Sequence, residues 1–146
     1  MKERDYADFD AAEHEPNWWE FIFKDKQPER RGYHSSFIHN NKLYIFGGKD
    51  IGAGHLNNLY MLNLEDQDRF IAGESEYMQN PEWEPIKTIG KEQPKPICNH
   101  TSVIFGDKMY LYGGSCPSQD KPTFFSLDLA SRFKWEVVKA HAKDGD

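Results

Sequence analysis

Cysteine, long apolar runs and clustered positive charge are scarce in this sequence, and each scarcity narrows what the chain can be. Its 146 residues include only two cysteines, Cys98 and Cys116, too few for the disulfide framework of a small secreted domain. No stretch comes near the roughly 18 apolar residues of a membrane-spanning helix. The opening MKERDYADFDAAEHEP lacks the apolar core of a secretory signal. Together these point to a cytoplasmic location and no membrane partner. Lys and Arg number 18 against 24 Asp and Glu and form no dense stripe, so nucleic acid is not an expected partner. Catalytic motifs are missing as well: there is no Gly-x-Ser-x-Gly elbow, His-Glu-x-x-His, phosphate-cradling loop or Cys-x-x-Cys. The expectation is a non-enzyme with no catalytic residues, no metal and no cofactor.

Aromatic residues are abundant. Ten Phe, seven Tyr and four Trp make 14% of the chain, which argues for a packed core over a disordered chain. The net charge of −6 is unevenly placed: residues 1–16 carry −4 and residues 65–84 carry −6, leaving +4 elsewhere. The body is mildly basic, with two acidic appendages.

An internal repeat decides the architecture. Residues 32–48, GYHSSFIHNNKLYIFGG, align without gaps on residues 98–114, CNHTSVIFGDKMYLYGG. Shared features are His-[Ser/Thr]-Ser, a polar pair followed by Lys, an aromatic-rich run and a diglycine. Each copy reads as a β-hairpin, turning at Asn40-Asn41 or Gly106-Asp107, residues that tolerate positive φ. The runs are nearly continuous in apolar character, which suits strands buried on both faces. The diglycine is expected to end the second strand. A third strand follows in 58–64 and again in 124–129, then a fourth around Trp83 and Trp135. Four antiparallel strands per repeat make the blade of a propeller, and a blade must stack on neighbours to bury its faces.

These motifs, over about residues 30 to 140, resemble the kelch-repeat family. A WD-repeat propeller fits less well, since no Trp-Asp pair stands at a strand end. The resemblance implies an all-β kelch β-propeller segment of two four-stranded antiparallel blades. It also implies that Trp83 and Trp135 pack near the small residues of an adjacent blade. Asn17 to Phe23 looks like the lone fourth strand of another blade, a latch closing the ring, so the chain reads as the amino-terminal portion of a longer propeller. The expected organisation is an acidic tail at 1–16, latch strand and linker at 17–29, and first blade at 30–89 with an acidic insertion at 65–80. The second blade follows at 90–140, and 141–146 start a further blade or form a tail. The span from Leu64 to Trp83 is 13 residues longer than that from Leu129 to Trp135, which locates the insertion. With Phe70, Tyr77 and Met78 among its carboxylates, it reads either as a dock for a basic partner or as a disordered surface loop.

For function, the resemblance implies protein recognition: a scaffold or adaptor, including the substrate receptor of a ubiquitin ligase, with a protein or peptide as ligand. The chain would continue, or pack on other subunits, to complete the propeller. Alternatives are a regulatory propeller fused to a serine/threonine phosphatase domain, or a propeller enzyme. Inter-strand loops commonly line the ligand face in this family. Arg30, Arg31, Lys49 and His55 there suit a carboxylate, which Arg binds well, with an ordinary solvated loop as the alternative. Asp50, Asn99 and Ser115 complete the candidate binding set. His34 and His100 recur at one repeat position, which favours a structural role over metal or acid–base chemistry. Cys98 faces Ser115 in the expected register, so the two thiols are near neighbours. They read as reduced cytosolic thiols, or else as a redox pair or half a metal site.

Overall fold

The computed structural model describes Phe23 and residues 27–65, 82–118 and 124–139. Its first blade is a sheet of β1 (Ser35–His39), β2 (Lys42–Phe46), β5 (Leu59–Asn63) and β6 (Trp83–Ile86), in the order β1-β2-β5-β6. The second blade holds β7 (Cys98–Phe105), β8 (Lys108–Ser115), β9 (Phe124–Asp128) and β10 (Trp135–Val137), likewise consecutive. A two-residue pair, β3 (Lys49–Asp50) with β4 (Gly54–His55), stands between β2 and β5. All pairings in the three sheets are antiparallel. The fold is the all-β arrangement of kelch blades that the repeat implies.

Both hairpins take the register read from the repeat: His39 pairs with Lys42 and Phe105 with Lys108, leaving Asn40-Asn41 and Gly106-Asp107 at the turns. Asn40 (φ 49) and Asn41 (φ 55) both lie in the left-handed region, as a type I′ hairpin turn requires. The diglycine does not end the second strand of the second blade, where β8 runs on through Gly113-Gly114 to Ser115. In the first blade pairing also resumes beyond the diglycine, in the same register, as a bridge between Gly32 and Lys49. Both ladders falter at one matched place, because Tyr33 (φ 58) and Asn99 (φ 56) are left-handed opposite the second glycine.

Strand alternation divides each blade into two faces. One face of the first blade presents Phe37, Tyr44, Phe46, Leu59 and Met61, packed against Met109, Leu111, Phe125, Leu127 and Trp135 of the second. This inter-blade layer is the core. Phe46, Leu59, Met109, Leu111 and Leu127 are wholly or almost wholly buried, and each such side chain stabilises the fold by about 1.5–3 kcal/mol. The Trp135 ring lies 5.1 Å from that of Phe46 across the blades, and its backbone and Cβ lie against Gly90. Trp83 instead meets Phe23, at 6.2 Å. The remaining latch residues, 17–22, lie outside the described residues, as do residues 66–81, which hold the expected acidic insertion (65–80) apart from Glu65, and both termini. Burial on both faces holds only for part of the first blade. On the second, Val103, Phe105, Tyr112 and Phe124 are exposed on the face turned away from the first, because no described sheet stacks there.

The diglycine sets the distance between the blades. A Cβ on Gly47 (φ 63) would come within 2.8 Å of both the His100 ring and the Ile97 carbonyl. That clearance lets the Gly48 N–H donate to the Ile97 carbonyl at 2.8 Å, while the Ile97 N–H donates to Leu56 and that of Asn99 to Tyr33. Gly106 (φ 57) has the same backbone conformation, with nothing within 4 Å of a Cβ. We expect Gly106→Ala to cost about 1 kcal/mol, the conformational penalty alone. Gly47→Ala should cost about 3 kcal/mol or more, because strain and collision add. Urea denaturation of the two variants checks the difference.

Candidate binding face

The loops fall at two ends of the blades. One end carries the hairpin turns at 40–41 and 106–107. The other gathers residues 29–34, the β2–β5 connection and the linker from β6 to β7. Four of the expected site residues meet at this second end. Arg30, Arg31, Gly32, Lys49, Asp50 and Ile51 line an open cleft of about 280 Å³. It adjoins a larger one of about 380 Å³ formed by Gly32, Tyr33, Lys49, Asp50 and Ile51.

Not every member of the set is free to bind. Arg31 was expected to meet a ligand, but its side chain is only 3% exposed and paired with Glu29 at 2.7 Å. Its guanidinium donates to the Gly47 carbonyl at 3.0 Å and to Asn58 Oδ1 at 2.8 Å. The group also lies over the Tyr60 ring, 5.4 Å from its centre. Burial lowers the Arg31 pKa from its ordinary value, opposed chiefly by the Glu29 charge. A buried planar fork with four of its five donors engaged within the chain is a strut for the loop end, not a ligand hand. Glu29 is held below the usual carboxylate range by its own backbone N–H, helped by Asn58 and Arg31.

Asp50 is engaged within its own loop. Its Oδ1 accepts the N–H groups of Gly52 (2.7 Å) and Ala53 (2.6 Å), closing the tip of the loop and lowering its pKa through those bonds, Ala53 first. Lys49 is exposed, and among the described residues its ammonium enters no ion pair. Arg30 is also exposed, near enough to Asp50 to be felt by its charge. His55 pairs across from Lys49 and is half-buried. Asn99 and Ser115 belong to the second blade and line neither cleft, although the Asn99 N–H reaches the Tyr33 carbonyl.

Sequence reasoning missed Tyr33 and Ile51. Tyr33 is 69% exposed and Ile51 fully so. A bulky aromatic in the left-handed region is uncommon and marks strain often kept for function. The aligned Asn99, at home in that conformation, was the signal that could have found it.

The two histidines differ. His100 is buried between the blades, its Nε2 sharing a 2.9 Å hydrogen bond with Ser35 Oγ. Its aligned counterpart His34 is exposed. Cys98 is buried, Cys116 is half-buried, and both thiols are free.

Paired blades stacked through a diglycine and a tryptophan define a kelch-type propeller unit. The KLHDC2/KLHL20/DRC7 Kelch-repeats domain matches residues 4–144, and the chain belongs to the kelch-repeat family. It is 34% identical over 103 residues to Kelch domain-containing protein 3 of Rattus norvegicus, covering 70% of this chain and 23% of that protein. It is 29% identical over 115 residues to the Leucine-zipper-like transcriptional regulator 1 homolog of Drosophila melanogaster, covering 79% of this chain and 10% of that one. Against the Rho GTPase-activating protein gacHH of Dictyostelium discoideum, identity is 33% over 93 residues, 64% of this chain and 5% of the relative. The chain thus spans less than a quarter of the length of these relatives. Kelch repeats are typically protein-interaction modules.

Two outcomes follow from the geometry. Arg31→Ala leaves the Gly47 carbonyl and Asn58 without their donor, so it should destabilise the fold by about 2 kcal/mol. Arg31→Lys should recover only part of that, as read by urea denaturation. Burial, with the His34 charge adding and the Phe46 backbone opposing, pushes the His100 imidazole from 6.5 down to about 4. The unfolded chain therefore takes up this proton first as pH falls. Stability from this group is intact above about pH 6.5 and declines until about pH 4, by at most about 3 kcal/mol. Unfolding midpoints of wild type and His100→Gln across that window check it, and the variant should lose this component of the slope.

Proposed function

We propose that this kelch module is a protein-binding adaptor whose loop end receives an extended segment of its partner through a carboxylate. The observation that supports the reading most is the exposed Lys49 ammonium, free of ion pairs, beside a cleft walled by the exposed Tyr33 and Ile51. Arg30 stands at the rim of the adjoining cleft and adds a second cation. Charge-assisted bonds to a carboxylate are about twice as strong as neutral ones. Tyrosine offers broad contact area at little entropic cost. The strut of Glu29, Arg31 and Asn58 keeps the cleft in shape before the partner arrives, which reduces the ordering cost of binding.

As an adaptor in the cytoplasm, where two reduced thiols are at home, the chain would bring its partner to a larger assembly. Serving as substrate receptor of a ubiquitin ligase is one form of that role. Family membership supports adaptor work in general, and the cleft supports the choice of a carboxylate-bearing segment.

The test is fluorescence anisotropy with a library of peptides carrying free or amidated C-termini or acidic side chains. Selected peptides should bind the wild type and lose about threefold to tenfold in affinity with Lys49→Ala or Arg30→Ala. Both surface changes should leave stability within about 0.5 kcal/mol. Equal binding by the amidated, acid-free peptides, or by both variants, would sink this reading.

A further inference from the structure

The outer edge of a sheet is where backbone groups are left over, and the two blades treat that edge differently. Trp83 pairs with Leu62 and Trp135 with Leu127, which sit opposite the aligned residues Leu43 and Met109. Pro85 of β6 and Val137 of β10 are therefore equivalent positions. Their direction follows from the bonds nearby. The Asp128 N–H donates to the Lys134 carbonyl at 3.0 Å and the Val138 N–H to that of Phe124 at 2.9 Å. Alternation then turns the backbone groups of Phe133, Trp135 and Val137 outward, away from β9. Proline at the first-blade position offers no N–H there, a common way of blunting an edge. Valine at the second offers both a donor and an acceptor.

The chain itself covers part of the β10 edge and then stops. The Ile89 N–H donates to the Phe133 carbonyl at 3.1 Å, and the Trp135 N–H donates to the Ile89 carbonyl at 2.8 Å. Gly90 (φ 149) then turns the linker away, so close to the strand that a Cβ would come within 2.7 Å of the Trp135 carbonyl. Thr88 Oγ1 donates to Gln93 Oε1 at 2.9 Å and fixes this turn. The repeat thus fills a blade's outer edge from the linker before it, and here that linker is already in place, short of Val137. Among the described residues, neither the N–H nor the carbonyl of Val137 is hydrogen-bonded.

A cleft of about 230 Å³ opens at this point, with Lys91 and Glu92 on the turn side and Lys134, Glu136, Val137 and Lys139 on the strand side. Lys134 is engaged with Glu136 at 2.9 Å. Lys91 and Lys139 are exposed and enter no ion pair among the described residues. Glu92 opposes one of them, which leaves the lining a surplus of one positive charge.

We infer that the β10 edge at Val137 is a further binding site, which takes an extended acidic segment of a partner protein as an added strand. A donor and an acceptor on one outward residue are matched by extended backbone, the basis of strand addition at a sheet edge. Lys91 and Lys139 suit carboxylates on the side chains of that strand. The site shares no residue with the clefts beside Lys49.

The probe is a capped peptide of alternating valine and glutamate, about eight residues long, which extends readily and has no terminal carboxylate. Followed by amide NMR, it should shift the resonances of Lys91 and residues 134–139 and slow hydrogen exchange at the Val137 N–H. Val137→Pro copies the first blade, where proline is accommodated at the matched place, and should weaken binding about tenfold or more. The double change Lys91→Glu and Lys139→Glu should do the same, and it keeps the question open to test if Val137→Pro does not fold. Lys49→Ala should leave binding unchanged. Absence of binding at millimolar peptide overturns the inference, as does Val137 exchange that the peptide leaves untouched. Equal binding by the folded variants, or by a peptide with lysine in place of glutamate, overturns it too.

Discussion

The approach of His100 and the Ile97 carbonyl to the backbone at Gly47, both within 2.8 Å of where a side chain would begin, is the constraint on which the other contacts rest. At that separation the Gly48 N–H reaches Ile97 and Phe46 slides beneath Trp135. Push the blades apart by a methyl group and the hydrogen bonds across them lengthen together, while the aromatic layer opens. The apolar layer supplies most of the stabilisation, since its side chains are almost completely removed from water. The polar ties contribute less individually but decide register, because a buried N–H left unpaired costs about 1–3 kcal/mol.

The same few backbone atoms join the core to the candidate site. Gly47 accepts from Arg31 and donates to the Asn58 carbonyl, while Asn58 in turn accepts from Arg31. This triangle anchors the strand end from which Lys49, Asp50 and Ile51 emerge. Loop-end geometry is thus inherited from blade packing through Arg31, four of whose five guanidinium N–H groups are engaged within the chain. The left-handed Tyr33 sits on the other side of the link, its carbonyl occupied by the second blade and its ring left in solvent.

Much of the fold could be read before any coordinates. The gapless alignment of 32–48 with 98–114 carried both hairpins and their turns, because register follows from turn position and side-chain alternation. The tryptophans marked the fourth strands. The candidate site was less legible. Arg31 and Lys49 are both cations in loops, and nothing local distinguishes them. Arg31 faces inward because Asn58, Glu29 and the Gly47 carbonyl converge on it from positions 27, 2 and 16 residues away. His34 and His100 occupy one repeat position yet have opposite environments, since only one of them has a described blade in front of it.

What the sequence by itself determined is the blade: its strand order, its turns and the glycines that allow close stacking, all set by contacts within a few dozen residues. The pattern of apolar residues also marked two faces on each strand. Only the tertiary structure decided which face was covered, which histidine was buried and neutral, and which arginine became a strut. Those outcomes depend on whether another sheet arrives within van der Waals distance, and a repeat that writes the same residues twice cannot encode that difference locally.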